Sequence, residues 1–217
     1  MKIIARIYTD FNDKFGIPRQ SGRVESLQGR IVFEDEYRNP DALRGIEQFS
    51  HLWLLFDFSE SHREQWSPTV RPPRLGGNTR VGVFASRSPF RPNPIGLSSV
   101  KLEKVENGEL WVSGVDLLNG TPIFDIKPYL PFTDCHPEAK GGYADDFTEY
   151  RLAVDFPEHL LAILPEEKRG AAIDCLAEDP RPSYQDDDRR YSMAFAGFDI
   201  HFTVKDGKLT VESVEKI

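Results

Sequence analysis

Two apolar runs flank an Asn-Gly pair in the segment IGLSSVKLEKVENGELWVSGVDLL, residues 95–118. The pair Asn107-Gly108 is the strongest short-range signal for a two-residue β-hairpin turn, because both positions of that turn need a positive φ angle. Apolar residues recur through residues 95–102 before the turn and through residues 110–117 after it. We therefore predict two antiparallel strands joined by this turn, and a β-sheet as the basis of the fold.

Short apolar or alternating runs of the same kind recur through the first half of the chain, separated by glycine and proline. One short helix is predicted at residues 41–48, with Asn39 or Asp41 as its cap. Closely spaced strands with few helices between them favour a barrel or a tightly curled sheet over a βαβ layout. The further predicted strands of this half are residues 3–8, 30–33, 51–58, 80–85 and 123–127.

The second half of the chain has a different pattern. Residues 135–146, CHPEAKGGYADD, have the composition of a loop and mark the expected domain boundary. Beyond them the spacing predicts one or two helices in residues 157–177 and strands at 190–195, 198–204 and 208–214, with an Asp206-Gly207 turn. The expected fold class is mainly β (α+β). A β-barrel-like domain would span residues 1–140, and a small α+β domain would span residues 141–217.

Charge is distributed unevenly along the chain. The net charge of −8 argues against a general nucleic-acid binder, which would be basic overall. Residues 65–102, however, contain no Asp or Glu and carry a net charge of +6, which leaves −14 for the rest of the chain. A cationic patch on an acidic protein favours one particular anionic partner. The alternative is that these arginines bond neighbouring backbone carbonyls.

Composition also argues against several classes of protein. Two cysteines, Cys135 and Cys175, without a C-x-x-C pair give no basis for a disulfide framework or a metal site. No run approaches the roughly 20 apolar residues that cross a bilayer, and residues 1–10 lack the apolar core of a signal peptide. We therefore expect a soluble, cytoplasmic protein. No G-x-G-x-x-G segment follows a strand, so nothing supports a Rossmann nucleotide site.

The arginine- and proline-rich stretch is the most informative one for function. It reads RPPRLGGNTR at residues 71–80 and FASRSPFRPNPIG at residues 84–96. Prolines restrict the backbone, so a loop built this way loses little entropy when it binds a ligand. Arg87 and Arg91 would then be held ready for a carboxylate or phosphate, which matches the planar guanidinium. The alternative is a rigid connector with solvated arginines.

Two further segments place charges in unusual surroundings. In GVDLLNGTPIFDIKPY, residues 114–129, the side chains of Asp116, Asp125 and Lys127 lie within or beside apolar runs. Charges there are costly unless they are paired or functional, so a structural ion pair and a role in binding are both open. The segment DPRPSY, residues 179–184, joins a cation and an aromatic ring between prolines, a combination suited to holding a base and a phosphate.

These segments resemble the TsaA-like (TrmO) family, whose bacterial members methylate N6-threonylcarbamoyladenosine next to the tRNA anticodon. The resemblance covers nearly the whole chain in the expected order and is weakest over residues 135–155. The segments that carry it are IPRQSG (17–22), HLWLLF (51–56), RPPRLGG (71–77), GVFASRSPFRPNPIGL (82–97), DIKPYLP (125–131) and DPRPSY (179–184).

The resemblance implies a β-barrel that binds S-adenosyl-L-methionine (AdoMet) and a homodimer with the cofactor near the subunit interface. It implies a methyltransferase acting on N6 of threonylcarbamoyladenosine at tRNA position 37, with the anticodon stem-loop as partner and with neither a membrane nor a metal. The implied cofactor contacts are Gln20, Ser21, Gly22, Arg23, Ser59, Glu60, Arg87, Leu97, Ser113, Gly114, Val115 and Asp116.

This reaction needs further groups from the chain. A base must accept the N6 proton, and Asp125 and Asp116 are the candidates. Cations would bind the threonyl carboxylate of the substrate, and aromatic rings would stack on bases of the single-stranded anticodon loop. The candidate tRNA contacts are Arg91, Lys127, Tyr129, Arg181 and Tyr184. Two alternatives stay open: a non-catalytic protein that binds AdoMet and RNA, and an AdoMet-dependent methyltransferase of an anionic small molecule.

Overall fold

A computed structural model of the chain describes residues 1–76, 78–181 and 189–217. The strands in these ranges are β1 Ala5–Tyr8, β2 Gln28–Phe33, β3 His51–Asp57, β4 Thr69–Val70, β5 Val81–Gly82, β6 Ile95–Glu106, β7 Glu109–Ser113, β8 Thr121–Pro128, β9 Ala153–Asp155, β10 Tyr191–Phe195, β11 Phe198–Lys205 and β12 Lys208–Lys216. The α-helices are α1 Pro131–Asp134, α2 Glu158–Leu161 and α3 Glu166–Ala177. Turns of 3-10 helix lie at Asp35–Tyr37, Pro40–Leu43, Ile46–Gln48, Ser59–Ser61, Pro73–Leu75, Val83–Ala85 and Gly142–Phe147.

Six of the strands close into an antiparallel barrel. Their order is β1-β2-β7-β6-β3-β8, and β8 pairs with β1 to complete the ring. The hairpin predicted between β6 and β7 is confirmed, because Glu106 pairs with Glu109 and the φ angles of Asn107 and Gly108 are 53° and 76°. The expected mainly β fold with a barrel in the first part of the chain is therefore confirmed.

Alternate side chains of the barrel strands fill its interior. On β3, Leu52, Leu54 and Phe56 are buried and the residues between them are half-buried, as the two-residue period of a strand requires. Gly96 of β6 pairs with Phe56, and a methyl group added at Gly96 would lie 2.2 Å from the Phe56 ring. The Phe56 ring thus occupies the space that any side chain at position 96 would need.

Three predicted elements differ from the structure. The strand predicted at residues 110–117 ends at Ser113, because Gly114 turns the chain with a φ of 71°. The helix predicted at residues 41–48 is instead two 3-10 turns, because Gly45 between them takes a left-handed φ of 87°. Asn39 caps the first turn, and its side chain accepts a hydrogen bond from the Asp41 amide. The strand predicted at residues 80–85 shortens to β5, because the guanidinium of Arg91 binds the Val83 carbonyl and holds the following residues in a turn.

The second part of the chain contains a sheet with the order β10-β11-β12-β9, in which β9 runs parallel to β12. The predicted Asp206-Gly207 turn joins β11 to β12, and α2 and α3 lie within the predicted helical region, with Pro165 immediately before α3. The buried side chains of barrel and sheet form one hydrophobic cluster. The Phe11 and Phe195 rings, for example, lie 5.3 Å apart. The predicted division of the chain into two domains near residue 140 stays a proposal.

Within the described ranges, no helix has the length and apolarity needed to cross a membrane. The same ranges bring no group of three or more His, Cys, Asp or Glu side chains together in a way that could hold a metal ion.

Candidate functional site

A cavity of about 590 Å³ lies at one end of the barrel. Its volume is within the usual range for small-molecule sites. Its wall is made by the loop after β1, the turn after β3, the arginine-rich loop between β5 and β6, the start of β6 and the segment after β7. The predicted site residues that line it are Gln20, Ser21, Ser59, Glu60, Arg87, Arg91, Leu97 and Asp116.

Asp116 is the carboxylate that the fold brings deepest into this cavity. Gly114, with a φ of 71°, turns the chain after β7, and the Asp116 carboxylate then accepts a 2.6 Å hydrogen bond from the Ser98 hydroxyl of β6. Burial raises the pKa of Asp116 to about 6, against the opposing effects of the Ser98 hydroxyl, the Ser21 amide and the Arg87 charge. A carboxyl group with such a pKa can exchange a proton near neutral pH.

Backbone hydrogen bonds hold the loop of residues 19–23 against Asp116. The Gly22 amide donates a 2.9 Å hydrogen bond to the Gly114 carbonyl, and the Gly114 amide donates another of 2.9 Å to the Leu27 carbonyl. Gly22 and Gly114 take left-handed φ angles of 77° and 71°, which glycine adopts without strain. The predicted cofactor residues that support this wall without lining the cavity are Gly22, Ser113, Gly114 and Val115.

Arg87 and Arg91 come from the same loop and have different surroundings. Arg87 is exposed at the cavity, and its guanidinium donates a hydrogen bond to the side-chain oxygen of Gln20. Arg91 donates through Nη1 to the backbone carbonyls of Val83, at 3.0 Å, and Ser86, at 2.7 Å. Arg91 therefore stiffens the loop that presents Arg87. Its contact with the substrate stays a prediction.

The cavity extends over the outer surface of the barrel. Ile95 and Leu97 of β6 are exposed, Leu97 at 56%, because they alternate with the inward-facing Gly96 and Ser98. Both nevertheless line the cavity. Apolar side chains that are exposed beside a ligand cavity can be covered by a ligand or by a second protein chain.

Sequence reasoning missed several residues of the cavity wall. Lys14 donates a hydrogen bond of 2.5 Å to the Glu60 carbonyl, and Arg19 lines the cavity while it donates to the Arg181 carbonyl. Ser98 was missed because the sequence alone does not show that its hydroxyl meets Asp116. The alternation of β6 could have identified it, since Ser98 has the same parity as the buried Val100.

Arg23 lies apart from the other predicted cofactor residues. Its guanidinium pairs with the Glu178 carboxylate at 3.0 and 3.1 Å, and Arg151 donates to the same carboxylate at 3.1 Å. Arg23 and Arg151 border a second, largely charged cavity of about 480 Å³ between the barrel and the C-terminal part. The structure therefore places Arg23 in a contact between the two parts of the chain.

The residues predicted on and after β8 also lie outside the described lining of the main cavity. Asp125 forms a 2.7 Å ion pair with Lys127, which is the structural alternative considered for these charges. The Tyr129 ring packs against Trp53 with 5.4 Å between ring centroids, and Trp53 itself lines the cavity. Of the two candidate bases, the fold brings Asp116 and not Asp125 into the cavity.

Arg181 belongs to a buried polar network. It is 9% exposed, and its guanidinium donates to both carboxylate oxygens of Asp179 at 2.9 and 3.1 Å. The Tyr150 hydroxyl donates to the same carboxylate at 2.8 Å, and Arg19 donates to the Arg181 carbonyl at 2.8 Å. This arrangement leaves the Arg181 guanidinium little access to RNA. Tyr184 lies outside the described residues.

The lining of the cavity suits a zwitterionic ligand with a flat ring. Arg87 and Gln20 offer donors for a carboxylate, and Asp116 offers an acceptor for a positive charge. Ile17 and Leu117 supply apolar surface for a ring. AdoMet combines a carboxylate, an adenine and a positively charged sulfur, so the residues present fit this cofactor.

Comparisons with known proteins agree with this geometry. The family model for the tRNA-methyltransferase O N-terminal domain matches residues 6–135, and that for the TrmO C-terminal domain matches residues 149–217. A tRNA (adenine(37)-N6)-methyltransferase from Escherichia coli (strain K12) is 41% identical over 225 residues, which cover 98% of this chain and 96% of the relative. A "Probable S-adenosyl-L-methionine-binding protein" from Pyrococcus abyssi is 34% identical over 142 residues, 65% of this chain and 74% of the relative. The crystal structure of TrmO from P. aeruginosa matches with a TM-score of 0.82 at 35% identity and covers 99% of this chain and 95% of that one.

Proposed function

Because the chain belongs to the tRNA-methyltransferase O family, we propose that it transfers a methyl group from AdoMet to N6 of adenosine 37 in tRNA. The Escherichia coli relative supports the reaction and the position, and the Pyrococcus abyssi relative supports the cofactor. The structural observation that carries the proposal is a single cavity that combines an exposed cation, Arg87, with a partly buried carboxylate, Asp116.

The proposed cofactor contacts follow from the residues that line the cavity. When bound, AdoMet supplies a methyl group carried on a positively charged sulfur. Arg87 and Gln20 would bind its carboxylate, since a guanidinium matches the two oxygens of that group. Ser59, Glu60 and Leu97 would complete the wall around it. The residues assigned to holding this wall in place are Gly22, Ser113, Gly114 and Val115, whereas Arg23 pairs with Glu178 away from the cavity.

Asp116 is the proposed acceptor of the N6 proton. With a pKa of about 6 it is mostly ionised at neutral pH and is a stronger base than an ordinary carboxylate. The Ser98 hydroxyl holds the carboxylate in one orientation. Asp125 stays the second candidate, although it lies outside the described lining of the cavity and pairs with Lys127.

We further propose that the target adenosine carries a threonylcarbamoyl group, so that N6 bears a carbonyl carbon. Such a carbonyl withdraws electrons from N6 and makes its proton more acidic, which suits a base as weak as Asp116. The threonyl carboxylate then needs a cation. The candidates are Lys127, which is largely exposed but pairs with Asp125, and Arg91, which lines the cavity but bonds backbone carbonyls.

The proposal includes a homodimer. Ile95 and Leu97 line the cavity from the outer surface of β6, so a second chain packed on this surface would cover the cavity and the bound cofactor. Light scattering tests this directly: a dimer is expected at micromolar concentration with AdoMet, and a monomer would contradict it. Action on tRNA would place the protein in the cytoplasm.

Incubation with AdoMet labelled in its methyl group distinguishes the possible functions. The proposal predicts label in the RNA fraction of total tRNA and no label in small anionic metabolites. Label in a metabolite would support the small-molecule methyltransferase instead. Binding of AdoMet and tRNA without transfer of label would support a non-catalytic binding protein.

A further inference from the structure

Three aromatic side chains lie exposed beside the cavity, on the loops before β4 and after β5. Phe84 is 74% exposed, Trp66 52% and Phe90 37%. Phe90 lies between Pro89 and Arg91, both of which line the cavity. Soluble proteins rarely leave several large apolar side chains together in water unless that surface binds something.

Backbone pairing holds two of these rings side by side. β4 and β5 form a short ribbon, which the Val83 amide continues by donating a 2.9 Å hydrogen bond to the Pro68 carbonyl. This ribbon brings Trp66 next to Phe84, with 6.3 Å between ring centroids and 29° between ring planes. The bonds of Arg91 to the loop carbonyls stiffen the same region, so little order is lost when a ligand binds.

Arginines lie against these rings. The guanidinium carbon of Arg63 is 3.7 Å from the Phe90 ring centroid, and that of Arg91 is 5.9 Å from the Phe84 centroid. The Arg63 guanidinium, stacked on the Phe90 ring, keeps its N–H edge available for a phosphate, whereas that of Arg91 bonds backbone carbonyls. Residues 65–102, which contain Trp66, Phe84 and Phe90, carry a net charge of +6 and no carboxylate, and Glu64 is the acidic residue next to Arg63 in the chain. Exposed rings among cations are typical of surfaces that bind single-stranded nucleic acid.

We infer that Trp66, Phe84 and Phe90, together with Arg63, form a stacking platform for unpaired bases of the anticodon loop beside the reacting adenosine. The inference rests on the proposed function, because it assigns the RNA site of that same enzyme. Any base can stack on these ring faces, and the Arg63 guanidinium can donate hydrogen bonds to a neighbouring phosphate. A second copy of this surface would bring like charges together, which opposes self-association here.

The first test compares three variants in tRNA methylation. Phe84→Ala is expected to raise the KM for tRNA about fivefold or more. The affinity for AdoMet should stay within about twofold of the wild type. Phe84→Tyr keeps an aromatic face and should behave like the wild type. Phe132→Ala removes another exposed ring, on α1 and outside the platform, and should leave the KM unchanged. The inference would be overturned if Phe84→Ala left the KM for tRNA unchanged. It would also be overturned if Phe84→Ala converted a dimeric protein to a monomer.

The second test measures binding alone and separates the inference from the proposed function. Stacking on Trp66 should quench its fluorescence when an anticodon stem-loop RNA is added, and Trp66→Phe identifies the contribution of the other two tryptophans. Loss of quenching in Phe84→Ala supports the platform even if the wild type methylates no tRNA. If the protein methylates tRNA but the RNA does not quench Trp66, the platform is overturned and the proposed function stays intact.

Discussion

The Ser98 hydroxyl donates a 2.6 Å hydrogen bond to the carboxylate of Asp116, a residue 18 positions later in the chain. Ser98 lies on β6 and Asp116 follows β7, so the β6–β7 hairpin brings these two side chains together. Ser98 is buried and pairs with Leu54 of β3, which limits the movement of its hydroxyl. The position of the proposed base is thus a direct consequence of the strand register.

Replacement of Asp116 by Asn should lower kcat by about a hundredfold, the usual effect of removing a general base. For the wild type, the rate of methyl transfer should rise with pH through about 6 and then level off, because the carboxylate is the reactive form. Single-turnover rates across this pH range test the prediction. A wild-type rate that is flat through pH 6, or an Asn variant of normal activity, would exclude Asp116 as the base.

Asp116→Asn, which should lower activity, should raise the stability of the fold. The pKa of the Asp116 carboxyl rises from 3.8 to about 6 on folding, so its ionisation lowers the free energy of unfolding. This loss of stability is absent below the unfolded pKa and fully present above the folded pKa. Asp116→Asn should therefore raise the free energy of unfolding by about 1–3 kcal/mol at neutral pH, and the gain should vanish below the unfolded pKa. Thermal unfolding of both proteins across pH decides this, and a gain independent of pH would contradict it.

Arg87→Ala should weaken AdoMet binding about ten- to hundredfold, since a charge-assisted hydrogen bond contributes about 1.5–3 kcal/mol. The fold should stay intact because the Arg87 side chain is exposed. Arg71→Ala, an exposed arginine outside the described cavity lining, is the matched control and should bind AdoMet normally. Calorimetric titration measures both, and an Arg87 variant within about twofold of the wild type would remove this contact.

Gly96→Ala should destabilise the barrel by about 1–3 kcal/mol, because the new methyl group would lie 2.2 Å from the Phe56 ring. Gly82→Ala is the control: it has nothing within 4 Å of the added carbon, and its φ of −58° suits alanine. A melting temperature for the Gly96 variant equal to that of the control would show that Phe56 can move without cost.

Arg181→Ala should lower stability by about 3 kcal/mol, because it leaves the buried carboxylate of Asp179 without its main partner. Tyr184→Ala tests the predicted RNA contact of the same segment separately, through the KM for tRNA. We expect Arg181→Ala to lower the melting temperature more clearly than it changes the KM for tRNA. A stable Arg181 variant with a raised KM would instead assign its guanidinium to RNA.

The sequence was sufficient for the barrel and for part of the site. The Asn107-Gly108 turn and the alternating runs specify local geometry, so they predict the hairpin and most barrel strands, whereas the strands predicted at residues 80–85 and 110–117 are too long. The contact between Ser98 and Asp116 depends on register between β6 and the segment after β7, which local pattern does not contain. The buried network around Arg181 likewise depends on Tyr150, whose hydroxyl donates to the Asp179 carboxylate that Arg181 binds, and Tyr150 lies in a loop without a recognisable pattern.

The nucleosides of tRNA after reaction provide the most direct test of the proposed function. Purified protein is incubated with AdoMet and with tRNA that carries threonylcarbamoyladenosine, and the digested tRNA is then analysed by mass spectrometry. We predict that threonylcarbamoyladenosine is converted to its N6-methyl derivative, and that Arg87→Ala slows the conversion at limiting AdoMet. Threonylcarbamoyladenosine that stays unmodified while AdoMet is bound would contradict the proposed function.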